Sequence, residues 1–514
     1  MASSRRPARS RPTCRAVAGT LAAVVALGLA ACSSSSSPAP TSSAAAPSTS
    51  TTLPAVAPPA PIAWTTCPTQ SELQCGTVAV PLDYRHPDAG TLQIAVARAP
   101  ATSGQASAGD LVMNPGGPGE SGLQILPVEL PLLPAAVRAD HDVVTFDPRG
   151  TGASSALQCG TDPSSVTAVV PVPAGPSRPL PGTPVFAGLA RACATQHPAL
   201  TAAVDTTATA RDMDRIRQAL GLPTISFYGL SYGTVLGTVY AALFPTHVGQ
   251  MVLDGAVDMD APLATQATEQ APAAERSLQH LLATCAATAG CPLGAHPTAY
   301  FTSLAASMAA HPLPAPGNGD TVPVTVGDLD TATLLALSVT QFTPEYEAAL
   351  VSASHGDGAQ LRTLAREFVI DIDGAPLVDA QWAITCNDTV GHPGPVAAGS
   401  LAYRLAKRYP LIGGYAVTYN LGGCVTWPDG REPVSDTHPT AAPPVLVIGN
   451  TGDPNTPLVG GEHLAALYPH ASHLTWDGWG HTWLLSGATD TCVSTAVSRY
   501  LSGGGLPPDG KVCS

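Results

Sequence analysis

The stretch Ile225-Ser-Phe-Tyr-Gly-Leu-Ser-Tyr-Gly233 decides how the rest of this chain is interpreted. An apolar, strand-like run ends in Gly-x-Ser-x-Gly, and residues 234–244 then follow a helical pattern that Pro245 stops. A turn this tight between a strand and a helix puts its apex residue into a strained backbone conformation, and small residues two positions either side prevent a clash. Gly229 and Gly233 are those residues, so Ser231 is predicted to stand at the top of a sheet, beside the positive end of a helix.

Strands and helices alternate on both sides of this turn. Residues 76–84 and 92–97 predict an opening antiparallel pair, and buried strands are predicted at 110–113, 142–146, 248–253 and 444–448. Residues 209–220 predict an amphipathic helix, closed by Gly221, that delivers the chain to the strand before Ser231. This alternation predicts an α/β fold with a mostly parallel, doubly wound sheet.

The pattern becomes helical from about residue 258, as in 274–287, 329–337, 345–355 and 359–368. These runs predict a helical cap inserted between core strands. The core is expected to resume with Ala383-Ile-Thr-Cys-Asn-Asp388. The predicted organisation is therefore a first core part at 63–257, a cap at 258–380 and a second core part at 381–514.

The first 32 residues have the pattern of a secretory signal: basic residues, an apolar run from Ala16 to Ala31, and the ending Leu29-Ala-Ala-Cys32. That ending resembles the lipobox of bacterial lipoproteins, in which the cysteine is acylated and becomes the first mature residue. Cleavage at an ordinary signal-peptidase site is the alternative. Residues 33–62, almost wholly Ser, Pro, Ala and Thr, predict a flexible linker. We expect an exported protein, either lipid-anchored on the outer face of the cell membrane or secreted.

The charge and the cysteines narrow the possible partners. The formal net charge is −14, and five of the arginines lie within the first 15 residues, in the predicted signal segment. The folded body is therefore more acidic still, which argues against nucleic acid as its partner. Ten cysteines follow the leader, and an even number in an exported protein favours disulfides. Pairing neighbours in sequence gives Cys67-Cys75, Cys159-Cys193, Cys285-Cys291, Cys386-Cys424 and Cys492-Cys513. No Cys-x-x-Cys or closely spaced His pair offers a metal-ligand set. We expect no metal, no cofactor and a monomer.

A serine hydroxyl is a weak nucleophile until a base removes its proton, and the base needs an acid to fix its tautomer. Asp453 and His481 lie on loops after two late strands and complete the Ser, Asp, His chain order of α/β-hydrolases. They are therefore the predicted partners of Ser231. Asp254 also follows a strand and is the competing acid, although Asp-Gly at that point is equally a turn signal.

The loop Asn114-Pro-Gly-Gly-Pro-Gly119 follows the strand 110–113. So many Gly and Pro residues allow the backbone to approach a ligand closely, and the N–H groups of Gly116 and Gly117 are then free to face a developing oxyanion. Arg149, in the turn Asp147-Pro-Arg-Gly150, is expected instead to pin loops together.

Several motifs together resemble the secreted tripeptidyl aminopeptidases of actinomycetes, which belong with the prolyl-iminopeptidase-like serine peptidases. The motifs are Trp64, residues 80–84, 114–119, 147–150, 228–234, 253–255 and 453–457, Gly480-His481, and Cys492. The likeness runs from about residue 63 to the C-terminus. It implies that Ser231 attacks the scissile carbonyl, that His481 shuttles the proton, and that the N–H of Tyr232 with Gly117 or Gly116 holds the oxyanion. Related mycobacterial envelope proteins are lipoproteins with protease or esterase activity, in keeping with the interpretation of Cys32.

The resemblance implies exopeptidase action on peptides with free N-termini, releasing tri- or dipeptides or proline-containing pieces. A carboxylate near the cap would bind the free amine, and Glu120, Asp388 and Glu269 are the candidates. Two alternatives use the same fold. One is a cell-envelope carboxylesterase or lipase with the same triad, and the other is a surface lipoprotein that binds peptides without turnover.

Overall fold

The computed structural model describes residues 53–315, 321–370, 376–487 and 489–514. The predicted signal peptide, including Cys32, and the linker as far as residue 52 lie outside these ranges. Residues 53–62, the end of the predicted linker, run without helix or strand. Within the part of the chain that the structure describes, no helix is both long enough and apolar enough to cross a bilayer.

Within the described ranges, ten strands form one sheet in the order β1-β2-β3-β5-β4-β6-β7-β8-β9-β10. The first contacts, β1 with β2, β2 with β3 and β3 with β5, are antiparallel, and all later neighbours are parallel. The predicted antiparallel opening and the parallel, doubly wound sheet are thus confirmed. The strands are β1 Thr65–Thr66, β2 Gln74–Pro81, β3 Thr91–Ala99, β4 Gly109–Asn114, β5 His141–Phe146, β6 Ile225–Leu230, β7 Val248–Asp254, β8 Val445–Gly452, β9 Ala471–Trp479 and β10 Lys511–Cys513.

Eighteen α-helices are assigned within the described ranges. Helices α1, α2, α6, α7, α16, α17 and α18 accompany the strands, α3 to α5 lie between β5 and β6, and α8 to α15 lie between β7 and β8. They are α1 Gly122–Glu129, α2 Ala135–Asp140, α3 Pro163–Thr167, α4 Thr183–Gln196, α5 Pro198–Thr201, α6 Thr206–Leu220, α7 Gly233–Leu243, α8 Leu263–Ala287, α9 Pro297–Ala310, α10 Val326–Ser338, α11 Thr343–Ser354, α12 Ala359–Glu367, α13 Leu377–Asn387, α14 Pro395–Arg408, α15 Tyr415–Leu421, α16 Leu458–Ala466, α17 Trp483–Gly487 and α18 Thr491–Leu501.

The inner strands are buried on both faces, so neighbouring residues contribute to different apolar clusters. Phe227 packs with α6 and α7 on one face, whereas Tyr228 packs with α1, α2 and α18 on the other. This double burial explains why β6 is a continuous apolar run rather than an alternating one. The helices from α8 to α12 share a further apolar cluster of their own, which gives the inserted segment its own packing.

The helical insertion extends further along the chain than predicted. Residues 383–388, where the core was expected to resume, belong mainly to helix α13, and the sheet resumes only at β8. Val378, Trp382 and Cys386 are spaced by four residues and are all buried in the same apolar cluster as the core helices. A short apolar run of this kind does not distinguish a strand from a buried helix, which is why the sequence pattern misled.

A second group of helices, α3 to α5, was not predicted at all. Helix α4 packs against residues 422–426, just after α15, and the ring of Phe186 lies 5.8 Å from that of Trp382 in an edge-to-face arrangement. The helices over the sheet edge therefore come from two chain segments, residues 163–201 and the insertion between β7 and β8.

All five predicted disulfide pairs are present. They are Cys67-Cys75, Cys159-Cys193, Cys285-Cys291, Cys386-Cys424 and Cys492-Cys513. Cys492 on α18 is joined to Cys513 on β10, so the last bond fixes the C-terminal strand to the helix that follows the His481 loop.

Arg149 has the structural role expected of it. Its guanidinium is fully buried, donates to both carboxylate oxygens of Asp212 at 2.7 and 2.8 Å, and also donates to the carbonyls of Pro81, Leu82 and Ala203. One side chain thereby joins the end of β2 to α6 and to the segment before it. Removing one partner of a buried pair leaves the other charge without compensation.

We predict that Arg149→Met lowers the free energy of unfolding by about 3–5 kcal/mol, because it leaves the buried carboxylate of Asp212 without its counter-charge. The double variant Arg149→Met with Asp212→Leu is expected to recover part of that loss. Urea denaturation followed by circular dichroism measures both. Arg85→Ala, which removes a half-exposed ion pair with Glu432, is the control and is expected to cost about 0.2–1 kcal/mol. An Arg149→Met variant no less stable than Arg85→Ala would show that Arg149 does not pin these loops.

Candidate active site

The turn after β6 has the backbone geometry predicted for it. Ser231 has φ = 54°, in the left-handed region that residues other than glycine rarely adopt, and α7 begins two residues later. A Cβ on Gly233 would lie 2.7 Å from the carbonyl oxygen of Asn114, so only glycine allows this close approach. The N–H of Ser231 donates to the carbonyl oxygen of Asp254 at 2.8 Å. Ser231 is therefore held at the edge where the parallel strands end.

The loop after β4 packs directly against this turn. Gly116 has φ = 110°, and a Cβ there would lie 2.7 Å from the carbonyl oxygen of Leu230 and 3.2 Å from the backbone nitrogen of Tyr232. Gly117 lines the same cavity as Ser231 and Tyr232. The backbone N–H groups proposed for the oxyanion hole thus belong to two segments in close contact, one at the N-terminus of α7 and one at the end of β4.

Asp453 and His481 lie on the loops after β8 and β9 and are paired. The Nδ1 atom of His481 lies 2.9 Å and 3.0 Å from the two carboxylate oxygens of Asp453, and both side chains are buried. The same carboxylate accepts hydrogen bonds from the backbone N–H groups of Asn455, Thr456 and Thr482 and from the Thr456 hydroxyl. This carboxylate can fix one tautomer of the imidazole, with the proton on Nδ1 and Nε2 available as a base.

Charge interactions shift the pKa values of both groups. Burial opposes ionisation of Asp453, but the positive charge and hydrogen bond of His481, with the backbone donors, outweigh it and hold the pKa below its ordinary value. Burial also disfavours the imidazolium. The charge and hydrogen bond of Asp453, with smaller contributions from Asp254 and Glu120, outweigh burial and raise the pKa of His481. The pair is therefore arranged to stabilise an imidazolium that forms during a reaction.

Asp254, the competing acid, has different partners. Its carboxylate accepts from the backbone N–H groups of Trp483 and Leu484 and from the Tyr228 hydroxyl. It is fully buried, and burial raises its pKa to about 6. Of the two acids, Asp453 is therefore the one paired with the imidazole. Asp254 instead binds the backbone of the residues that follow His481.

A cavity of about 1020 Å³, solvent at its mouth included, opens over Ser231. Its floor comes from the Ser231 turn and the Gly117 loop, and its walls from the segment after β7, from α8, α13 and α15, and from the start of α16. Three carboxylates line it, and none of its described lining residues is Lys or Arg. The lining includes Val235, Val257, Met259, Leu263, Gln266, Glu269, Gln381, Trp382, Asp258, Asp388, Tyr419, Asn420, Val434, Asn455 and Thr456.

The three candidate amine-binding carboxylates differ in their surroundings. Asp388 lines the cavity but accepts from the backbone N–H and hydroxyl of Thr206 at 2.8 and 2.5 Å, and burial raises its pKa well above the ordinary value. Glu269 on α8 lines the cavity near Asp258, and burial followed by that neighbouring charge raises its pKa. Glu120 is half-buried and acts electrostatically on His481 and Tyr419. Glu269 is thus the candidate at which a bound cation would most directly offset the repulsion from a neighbouring carboxylate.

Sequence reasoning missed two polar links at this site. The Thr456 hydroxyl lies 3.3 Å from Nδ1 of His481 as well as bonding Asp453, and its position three residues after an aspartate was the available turn signal. The Tyr232 hydroxyl hydrogen-bonds Thr206, whose hydroxyl donates to Asp388. This second link joins residues more than 150 positions apart, so no local pattern could indicate it.

In the described ranges, the single cluster with ligand atoms close enough for a metal ion is Asp490, Cys492 and Cys513. The two sulfur atoms of that cluster are joined in a disulfide and are not thiolate ligands.

Comparison with known proteins identifies the family. The α/β-hydrolase family model matches residues 111–488, so this chain belongs to the α/β-hydrolases and is a serine hydrolase of that fold. It is 33% identical to the serine protease Hip1 of Mycobacterium tuberculosis over 88% of this chain and 91% of the relative. It is 32% identical to carboxylesterase B of the same organism over 90% and 91%, and 28% identical to the tripeptidyl aminopeptidase of Streptomyces coelicolor over 88% and 86%. The resemblance to the actinomycete tripeptidyl aminopeptidase family is confirmed.

We predict that covalent labelling of Ser231 by a fluorophosphonate accelerates as pH rises, with a midpoint above 6.5. The neutral imidazole is the base, and the pKa of His481 lies above its ordinary value of 6.5. Asp453→Asn is expected to slow labelling and to move the midpoint to lower pH, because it removes the charge that raises this pKa. Labelling rates across pH 5–9 measure both effects. A midpoint that does not move in Asp453→Asn would contradict the pairing.

Proposed function

We propose that this protein is an exported serine exopeptidase that releases short peptides from free N-termini. The observation that carries the proposal is the buried Asp453–His481 pair on the loops after β8 and β9, together with a left-handed Ser231 that lines a cavity with three carboxylates. The serine protease and the tripeptidyl aminopeptidase among the relatives support peptide bonds as the target.

In the proposed reaction, the Ser231 hydroxyl attacks the carbonyl carbon of the scissile peptide bond and its proton passes to Nε2 of His481. The N–H groups of Tyr232 and of Gly117 or Gly116 donate to the oxyanion, and losing one such donor typically costs about 2.7–4 kcal/mol in the barrier. The leaving amine takes the proton from His481. A water molecule, deprotonated by His481, then attacks the Ser231 ester, and release of the peptide carboxylate restores the hydroxyl.

We assign selectivity for free N-termini to the acidic wall of the cavity, which Asp258 and Glu269 form. Asp258 is already paired with His463, whose Nδ1 lies 2.6 Å from its carboxylate. Glu269 has a pKa raised by burial and by Asp258, so an ammonium group bound there would be favoured by both carboxylates. The apolar lining residues, among them Met259, Leu263 and Trp382, suit uncharged side chains of the bound peptide.

A carboxylesterase acting through the same residues is the second candidate, favoured by the relative named carboxylesterase B. The two activities differ in what they require of the acidic wall. An ester substrate without an amine gains no binding energy from Glu269, whereas the ammonium group of a peptide with a free N-terminus is attracted to it. The ratio of the two activities in a Glu269 variant therefore separates them.

We predict that the protein hydrolyses a free-amine tripeptide p-nitroanilide with a kcat/KM roughly 10–100-fold above that of its N-acetyl form, the range expected of a hydrogen bond to a charged group. Glu269→Gln is expected to remove most of this preference through KM. Steady-state kinetics on both anilides and on p-nitrophenyl butyrate measure it. Ser231→Ala is expected to abolish all three activities.

Glu120→Gln and Asp388→Asn are the matched comparisons, because each neutralises another candidate carboxylate. Equal rates of hydrolysis of the free-amine and acetylated anilides would contradict the exopeptidase assignment. Fast turnover of the ester with none of either anilide would favour the carboxylesterase. Loss of the preference in Glu120→Gln or Asp388→Asn, but not in Glu269→Gln, would move the amine site.

The proposal includes export with lipid attachment at Cys32, which rests on the Leu-Ala-Ala-Cys pattern. Five disulfides in the folded body support an oxidising compartment outside the cytosol. The folded body is proposed to act as a monomer.

We predict that the full chain fractionates with membranes of an actinomycete host, and that Cys32→Ser releases it or leaves the precursor uncleaved. Several acyl chains anchor a protein stably, whereas an unlipidated leader does not. Cell fractionation with detergent extraction measures the distribution. A Cys32→Ser protein that is cleaved and still fractionates with membranes as the wild type does would exclude lipid anchoring at this position.

A further inference from the structure

Asp254 lies between the elements that carry the three site residues. It is the last residue of β7, and its neighbours across the sheet are Leu230 at the end of β6 and Ile448 in β8. Ser231 follows directly on β6, and Asp453 follows directly on β8. Asp254 is fully buried, so contact with substrate falls to other residues.

The backbone of Asp254 holds the serine. Its carbonyl oxygen accepts the hydrogen bond from the Ser231 N–H at 2.8 Å. Ser231 has a left-handed backbone, a conformation that costs of order 1–3 kcal/mol and persists only where surrounding contacts enforce it. This hydrogen bond is one of those contacts.

The side chain of Asp254 holds the loop that carries the imidazole. One carboxylate oxygen accepts from the N–H of Trp483 at 2.8 Å, and the other accepts from the N–H of Leu484 at 2.9 Å and from the Tyr228 hydroxyl at 3.0 Å. Trp483 and Leu484 are the second and third residues after His481. A single buried carboxylate thus satisfies two backbone donors that the short helix α17 would otherwise leave without partners.

The loop that carries His481 is held at several points, and Asp254 binds it next to Thr482, where the backbone is strained. Thr482 has φ = 58° and donates its N–H to Asp453, while the N–H of His481 donates to the carbonyl oxygen of Ser338. Helix α17 begins directly after Thr482. The carboxylate of Asp254 accepts hydrogen bonds from the first two backbone N–H groups of that helix.

Charge as well as hydrogen bonding connects Asp254 with His481. Burial raises the pKa of Asp254 to about 6, and the backbone donors, Tyr228 and His481 act in the opposite direction. On the α1 side lies Glu129, whose pKa is raised well above its ordinary value by burial first and then by the charges of Glu120 and Asp254. His481 in turn is influenced by Asp453 first, and then by Asp254 and Glu120, all of which raise its pKa.

We propose that Asp254 is a positioning residue that fixes Ser231 and His481 relative to each other, through its carbonyl oxygen on one side and its carboxylate on the other. The inference rests on the proposed serine-hydrolase reaction. It assigns a role to the residue that the sequence offered as the competing acid of the triad. Its removal acts on the reaction step rather than on substrate binding.

The experiment compares Asp254→Asn and Asp254→Glu with the wild-type full chain on the free-amine tripeptide p-nitroanilide. Asp254→Asn turns an amide NH₂ toward donors that need an acceptor. It is expected to lower kcat about 100-fold, to change KM less than threefold, and to move the acid limb of kcat/KM to lower pH because a negative charge near His481 is lost. Asp254→Glu keeps the charge but displaces the carboxylate, so kcat falls while the acid limb stays in place.

Two further variants separate positioning from general destabilisation. Asp330→Asn removes another buried carboxyl group, on α10, and is expected to keep kcat within twofold even where it lowers the melting temperature. Tyr228→Phe removes one of the three donors and is expected to lower kcat three- to tenfold at unchanged KM. It also serves as the test where the Asp254 variants do not fold.

The inference is overturned by an Asp254→Asn enzyme with kcat within threefold of wild type, or by one that loses activity with an unmoved acid limb. A Tyr228→Phe enzyme with wild-type kcat overturns it where the Asp254 variants do not fold. Failure of the proposed function looks different. In that case the wild type turns over neither the anilides nor p-nitrophenyl butyrate, and a fluorophosphonate leaves Ser231 unlabelled.

Discussion

The left-handed backbone of Ser231 is the constraint to which the other elements of this molecule conform. A serine can hold φ = 54° only where its neighbours leave no room for relaxation. Gly233 lets the chain pass within van der Waals contact of Asn114, Gly116 packs against the turn, and the carbonyl oxygen of Asp254 accepts the Ser231 N–H. These contacts come from β4, β6 and β7, which are neighbours in the parallel sheet. The sheet order thus serves to end several strands at one point.

Carboxyl groups of one chemical kind acquire different properties around this point. Asp453 is buried but surrounded by donors and an imidazole, so its pKa stays low. Asp254 has donors but less compensating charge, and burial raises its pKa to about 6. Glu129, buried without comparable donors, has a pKa raised well above the ordinary value. Environment, more than residue type, therefore assigns one carboxylate to the imidazole and one to the loop that carries the imidazole.

The sequence predicted well those features that local chemistry determines. Gly-x-Ser-x-Gly after an apolar run, an Asp and a His after late strands, and ten cysteines that pair as neighbours all have a physical reason readable within a few residues. It predicted less well what depends on distant contacts. The pattern at residues 383–388 does not separate a resumed core strand from a helix, because a short buried run suits both. Helices α3 to α5 are not evident from the sequence, because their burial depends on residues more than 190 positions away, as the contact between Phe186 and Trp382 shows. Two partners of the Asp254 carboxylate, Trp483 and Leu484, likewise lie more than 220 residues further along the chain.

The most direct test of this account is the identity of the atom that carries the acyl group during turnover. A tripeptide p-nitrophenyl ester with a free amine, mixed with enzyme and quenched in acid within milliseconds, traps the intermediate for peptide mass mapping. The account predicts one tripeptidyl group on Ser231 and none in Ser231→Ala, together with a burst of nitrophenol equal to the enzyme concentration. An acyl group on another residue, or undiminished turnover by Ser231→Ala, would contradict it.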